Sequence, residues 1–192
     1  MSTNKRDNTA FTANLYVNGL PVVLNQQRLK QRLRDSRITQ REKLDTEVAL
    51  ADLRESSFIT LADHEDDKPL LLKFTPQGDS YTIHIVLRGV NDGARLVIES
   101  HTHNLLVSQN ERSEFFFISK TGLMRARLSD LENGPTYIGL ASESNKKPLY
   151  RDTVNRMDIF KSVDPNVTGH IAYNNKPVVF VFKLIDKLPA ES

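Results

Sequence analysis

Three side chains that could hold a metal ion alternate along one short stretch of the sequence. They are Glu99, His101 and His103. Alternate residues of a β-strand point to the same face, and carboxylate and imidazole groups are common ligands of zinc and related ions. One interpretation is therefore a metal-dependent β-barrel enzyme that uses these three residues.

The residues that follow do not complete a metal site. The His-x-His pair resembles the metal site of the cupin family, in which a glutamate follows the second histidine by three or four positions. Here those positions hold Leu106 and Val107, neither of which can bind a metal ion. The flanking sequence thus favours a contact or turn role for the histidines over metal chemistry.

No other motif of catalysis is present. The chain has no cysteine, which excludes disulfides and thiol catalysis, and its serines lie in no nucleophile-elbow context. Its eight glycines form neither a phosphate-binding loop nor a dinucleotide fingerprint. We therefore favour a non-catalytic protein and expect no cofactor.

The composition is that of an ordinary globular protein. The chain has 192 residues, 39% hydrophobic residues and a formal net charge of +2, which is consistent with one domain. No stretch approaches the roughly 20 apolar residues of a membrane span, and no signal peptide is recognisable. We expect a soluble protein, either cytoplasmic or exported by a signal-independent route.

The first third of the chain combines a hairpin with a charged segment. Residues 1–10 are predicted to be a disordered tail, and 11–192 a single β domain.

Asn18-Gly19 lies between two apolar runs and is typical of a type I′ turn. Residues 26–55 have leucines at helical spacing and are predicted to form an amphipathic helix, broken near 36–39. The basic residues from Arg28 to Lys43 allow two interpretations. One is a binding site for an acidic polymer, and the other is a helix face that is simply solvated.

Beyond residue 56 the sequence consists of short β-branched and aromatic runs separated by turn residues, including 95–99, 115–119, 123–128, 137–141 and 170–173. This pattern predicts a mainly antiparallel all-β fold, either a sandwich or a closed barrel of short strands. A shift of 42 residues brings the run at 95 onto the run at 137 and the histidine stretch onto 141–148. Because 141–148 is a polar turn, residues 100–104 are predicted to be the tip of a hairpin.

The repeated runs resemble those of the β-trefoil superfamily, which includes fascin-like, cytokine-like and lectin-like proteins. The resemblance implies three four-stranded units, with the charged segment as a helical insertion near the N-terminus. The sequence lacks tryptophan and so departs from the Gln-x-Trp signature of the ricin-like lectins. A jelly-roll or other β-sandwich is the alternative fold.

We predict a recognition module that binds a protein or carbohydrate partner through its hairpin loops. Nucleic acid is not expected as a partner, because no aromatic residues accompany the basic segment. The predicted ligand-binding residues are Asn91, Asp92, His101, His103, Asn104, Asn145, Lys146 and Tyr150.

Overall fold

A computed structural model describes residues 8–89, 92–109, 112–165 and 176–188. The described chain has twelve strands: β1 (Phe11–Val17), β2 (Leu20–Leu24), β3 (Ile59–Leu61), β4 (Leu71–Gln77), β5 (Ser80–Val86), β6 (Arg95–Ile98), β7 (Leu105–Ser108), β8 (Phe116–Ser119), β9 (Thr136–Ser142), β10 (Tyr150–Val154), β11 (Met157–Lys161) and β12 (Phe180–Lys187). It also has four helices: α1 (Asn25–Leu33), α2 (Gln40–Ala51), α3 (Leu53–Ser56) and α4 (Leu128–Leu131). Residues 1–7 of the predicted tail, Asn91 and the predicted strand at 170–173 lie outside the described residues.

Six strands close into a barrel. β1 pairs with both β12 and β4, and the ring continues through β9, β8 and β5 back to β4. Every one of these pairings is antiparallel, so the prediction of a mainly antiparallel all-β fold is confirmed. The ring is one closed barrel and not the two facing sheets of a sandwich.

The other six strands form three antiparallel pairs outside the ring. These pairs are β2 with β3, β6 with β7, and β10 with β11. A small apolar core lies among them and consists of Phe58, Val97, Leu106, Met157 and Ile159. The three pairs therefore pack against one another.

Aromatic residues fill the barrel at the contact of β1, β4 and β12. Phe11 stacks on Phe74 with ring centroids 5.1 Å apart, and Phe182 meets both rings edge to face. All three side chains are fully buried. Offset and edge-to-face rings bury large apolar areas at favourable quadrupole geometry, so this cluster supports the closed ring.

The first hairpin has the turn that its sequence predicts. Val17 pairs with Leu20, and the two residues between them, Asn18 and Gly19, have φ values of 50° and 83°. Positive φ at both positions is the geometry of a type I′ turn. The prediction from Asn18-Gly19 is confirmed.

The charged segment contains three of the helices, with a break between Leu33 and Gln40. The Thr39 side chain accepts from the Glu42 backbone N–H, and the Glu42 carboxylate accepts from the Thr39 N–H, which forms a capping box. The sequence at the N-terminus of α2 therefore itself favours a helix that begins there. None of the helices in the described residues is long and apolar enough to cross a membrane.

Two sequence predictions are wrong. Residues 123–128 form no strand, because Leu123 makes only an isolated bridge and the chain turns into α4 at Leu128. The 42-residue register fails as an alignment of strands: it matches β6, which lies in an outer pair, with β9, which is part of the barrel. Hydrophobic alternation is the same in both places, so spacing alone does not distinguish them.

Candidate functional site

Two tight loops of the protein have the same hydrogen-bond pattern. In the β6–β7 loop the backbone N–H of Glu99 donates to the Asn104 carbonyl, and that of His103 donates to Glu99. In the loop after β9 the N–H of Ser142 donates to Lys147, and that of Lys146 donates to Ser142. Residues 100–104 are thus the tip of a hairpin, as predicted, and the loop after β9 repeats its local geometry one residue off the predicted register.

Both loops contain a non-glycine residue in the left-handed region. The φ value is 61° at His103 and 58° at Lys146. This conformation costs an ordinary residue of the order of 1 kcal/mol. Both loops therefore contain one residue in a conformation that ordinary residues seldom adopt.

Ser162, just after β11, connects the two loops. Its backbone N–H donates to the His103 carbonyl at 3.0 Å, and its carbonyl accepts from the Asn145 Nδ2 at 3.1 Å. Its side chain is fully buried. The loops are therefore fixed relative to each other through a buried residue that the sequence analysis did not identify.

Two more predicted residues, Asn104 and Tyr150, lie next to Ser162 through its neighbour Lys161. Lys161 bridges to Asn104 and pairs across the strands with Tyr150. We call this surface the loop junction, and it consists of His101, His103, Asn104, Asn145, Lys146, Tyr150, Lys161 and Ser162. The structure thus brings together six of the eight predicted site residues.

The junction residues divide into supporting and exposed groups. Asn104 is 4% exposed, and Asn145 uses its amide oxygen for the Lys147 N–H and its amide nitrogen for Ser162. Asn145 therefore holds its loop through its side chain, and the buried Asn104 holds its loop through its backbone carbonyl, which accepts from the Glu99 N–H. Both asparagines are poorly placed to meet a partner. His101 and Lys146 are exposed, while His103 and Tyr150 are half-buried.

Arg54 forms an ion pair with Glu99, the carboxylate of the metal site that the sequence suggested. Its guanidinium binds both oxygens of Glu99, at 2.9 and 2.6 Å, and the Thr102 hydroxyl donates to the same carboxylate. The hydrogen bonds from Arg54 are the main cause that lowers the pKa of Glu99. In the described parts of the chain no three His, Asp or Glu side chains converge as metal ligands. The carboxylate of Glu99 is therefore held by Arg54 and Thr102.

The second loop rests on a similar ion pair. Arg125 binds Glu143 and lies over the Phe117 ring at 4.4 Å, and Lys146 and Ser80 also donate to Glu143. With the Arg125 hydrogen bond as the largest cause, these donors lower the pKa of Glu143 to about 2. Glu143 is consequently a carboxylate at any ordinary pH and ties Lys146 to the body of the protein.

Asp92 is not part of the loop junction. It precedes β6, whereas the histidine tip follows it, and its side chain accepts from the Leu87 N–H at 3.1 Å. Asp92 therefore closes the loop between β5 and β6. Asn91 lies outside the described residues.

The basic segment does not form one positive stripe. Arg28 and Arg32 both bind Asp63, which begins the acidic stretch after β3, and Arg37 binds Asp35. Arg41 and Lys43 are exposed on α2. Much of the positive charge of this segment is thus neutralised by acidic residues of the same chain. The sequence alone does not reveal the pairing of Arg28 and Arg32 with Asp63, because Asp63 is remote from both arginines along the chain.

Comparison of the chain with protein-family models, with curated proteins and with solved structures finds no match.

Proposed function

We propose that the protein is a non-catalytic recognition module with a β-trefoil-like body. The order of its elements supports this fold: one barrel strand, an outer pair and a second barrel strand follow each other three times along the chain. The three units are β1–β4, β5–β8 and β9–β12. The helices α1 to α3 lie between β2 and β3, and in this proposal they are an insertion in the first unit.

The proposed recognition surface is the loop junction, and its partner is a protein or a glycan. One observation carries the proposal: Ser162 hydrogen-bonds to both loops, so the exposed side chains of His101 and Lys146 belong to one rigid surface. A surface that is fixed before binding loses little conformational entropy when the partner arrives. Tyr150 adds an aromatic side chain of the kind that is enriched at binding surfaces.

The ionisation of the nearby carboxylates is consistent with a role without catalysis. Both Glu99 and Glu143 are bound by arginine, and both have a lowered pKa. A general acid needs a raised pKa near the working pH, and a general base needs a carboxylate that is free to accept a proton. These two side chains serve instead to fix the loops.

A binding screen of matched variants tests the proposal. Wild type, His101→Ala and Lys146→Ala would be applied to a glycan array and used as bait in pull-downs, with circular dichroism as a check of folding. Lys43→Ala is the control for Lys146→Ala, because it removes an exposed lysine that lies on α2 and is not one of the loop-junction residues. We expect one partner class to bind wild type and the control and to bind both loop variants more weakly. Equal binding by all four proteins would contradict the proposed site.

A further inference from the structure

A cavity of about 750 Å³ lies between the helical segment and the turn of the β10–β11 hairpin. Side chains from α1, from the α1–α2 connection, from α2 and from the turn residues Asn155 and Arg156 line it. Its volume falls in the range of small-molecule sites, roughly 300–1,000 Å³. It is separate from the loop junction, which shares no residue with its lining.

Arginine is the most frequent residue type of the cavity wall, with five side chains. Arg28 and Arg32 share the single carboxylate of Asp63, and Arg37 binds Asp35. Arg34 and Arg156 also line the cavity, and neither forms an ion pair with any residue that the structure describes. Two guanidinium groups are thus available for a ligand.

Carboxylates share the wall with the arginines. Asp35 and Asp63 are in ion pairs, while Glu42 and Asp67 accept backbone N–H groups of Thr39 and His64. The other two acidic residues of the wall are Asp45 and Glu55. The backbone carbonyl of Glu55 accepts from the Asn25 Nδ2 and its negative charge acts on Arg28, while neither carboxylate forms an ion pair with a residue that the structure describes. The wall therefore offers unpaired groups of both signs, and its five arginines are matched by six acidic residues in all. Such a balanced wall does not favour a long polyanion.

Arg156 occupies a position that ordinarily suits glycine. Val154 pairs with Met157, and the turn residues Asn155 and Arg156 have φ values of 50° and 64°, which is a type I′ turn. The first hairpin makes the same turn with Gly19 at the second position. A β-carbon in this conformation costs about 1 kcal/mol or more. The turn itself has no need of an arginine, so the strained residue points to a role for its guanidinium in the cavity.

We propose that the cavity binds a small phosphorylated polyol, such as a sugar phosphate. Arg34 and Arg156 bind the phosphoryl group, because the planar guanidinium matches two phosphate oxygens at once. Asp45 and Glu55 accept hydrogen bonds from the hydroxyl groups of the polyol. The site is independent of the loop junction and of the partner proposed for it. It also differs from binding of an acidic polymer through Arg28 to Lys43, since Lys30, Arg41 and Lys43 do not line the cavity.

Isothermal titration calorimetry of the full chain with three probes tests this site. The probes are glucose 6-phosphate, inorganic phosphate and glucose. We expect saturable binding of glucose 6-phosphate, weaker binding of phosphate and none of glucose. Equal affinity for glucose 6-phosphate and phosphate would overturn the polyol assignment, and failure of both phosphate-bearing probes to bind would overturn the site.

Three variants identify the arginines that act. Arg156→Gly and Arg34→Gln should each weaken binding of glucose 6-phosphate about ten- to hundredfold, as expected for a lost hydrogen-bonded charge. Arg156→Gln keeps the strained turn and removes only the charge, so a comparable loss there separates the guanidinium from the turn geometry. Arg41→Gln, on the same helical segment but outside the cavity, is the matched control and should bind like wild type. Wild-type affinity in both Arg156 variants would overturn the proposal.

Discussion

Replacement of Arg156 by glycine should stabilise the protein. The β-carbon of Arg156 is held at a φ of 64°, and relief of that conformation is worth about 1–2 kcal/mol. Glycine, however, lowers the free energy of unfolding by about 0.4–1 kcal/mol, because it increases the conformational entropy of the unfolded chain. The side chain is exposed and forms no ion pair with a described residue, so its removal costs little contact energy. The net expectation is a gain of about 0.5–1 kcal/mol in the free energy of unfolding.

Urea unfolding at equilibrium measures this gain directly. The midpoint should move to higher urea with an unchanged slope, and the melting temperature should rise by about 1–4 °C for a chain of this size. Gly19→Ala is the reverse control in the other type I′ turn and should lower stability, since its new β-carbon lies 3.0 Å from the Glu65 Oε1 as well as at a positive φ. A loss of stability in Arg156→Gly would refute the reasoning, because the turn would then depend on contacts of the arginine.

Two further predictions concern charged side chains. Glu143→Gln should cost about 1 kcal/mol at pH 7, since the carboxylate holds Arg125 and Lys146 at a partly exposed site. The folded pKa of about 2 lies below the ordinary value, so this contribution is complete above about pH 4.5 and is lost as the pH falls toward 2. Urea unfolding at pH 7 and pH 2.5 checks it, and the same loss at both values would contradict it. The pKa of His84 is lowered first by burial and then by the nearby charges of Arg95 and Lys73. An NMR titration of Lys73→Met should therefore show a higher His84 pKa that stays below the usual value, and an unchanged pKa would count against a contribution from Lys73.

Local signals in the sequence predicted local structure well. Asn18-Gly19 defined its hairpin because only a few residue pairs accept two positive φ values. The polar stretch around His101 was correctly placed at a hairpin tip. The runs at 95–99 and 137–141 were predicted to be strands, and they form β6 and β9, respectively.

Long-range relations were the part that the sequence could not supply. Whether a strand belongs to the barrel or to an outer pair depends on its partners, and the alternation of β6 and β9 is the same in either place. The pairing of Asp63 with Arg28 and Arg32 joins residues remote in sequence. Ser162 is a small residue without a motif, so its role between the loops follows only from the folded backbone. Arg156 was missed because no turn rule places an arginine at that position.

The two loops are proposed to bind a partner as one surface. The most direct measurement is the affinity of wild type, His101→Ala, Lys146→Ala and the double variant for the glycan or protein that the binding screen identifies. We expect each single substitution to weaken binding about fivefold or more and the double variant to bind most weakly, as for residues that share one interface. If either loop variant binds the partner with wild-type affinity, the two loops do not form a common site.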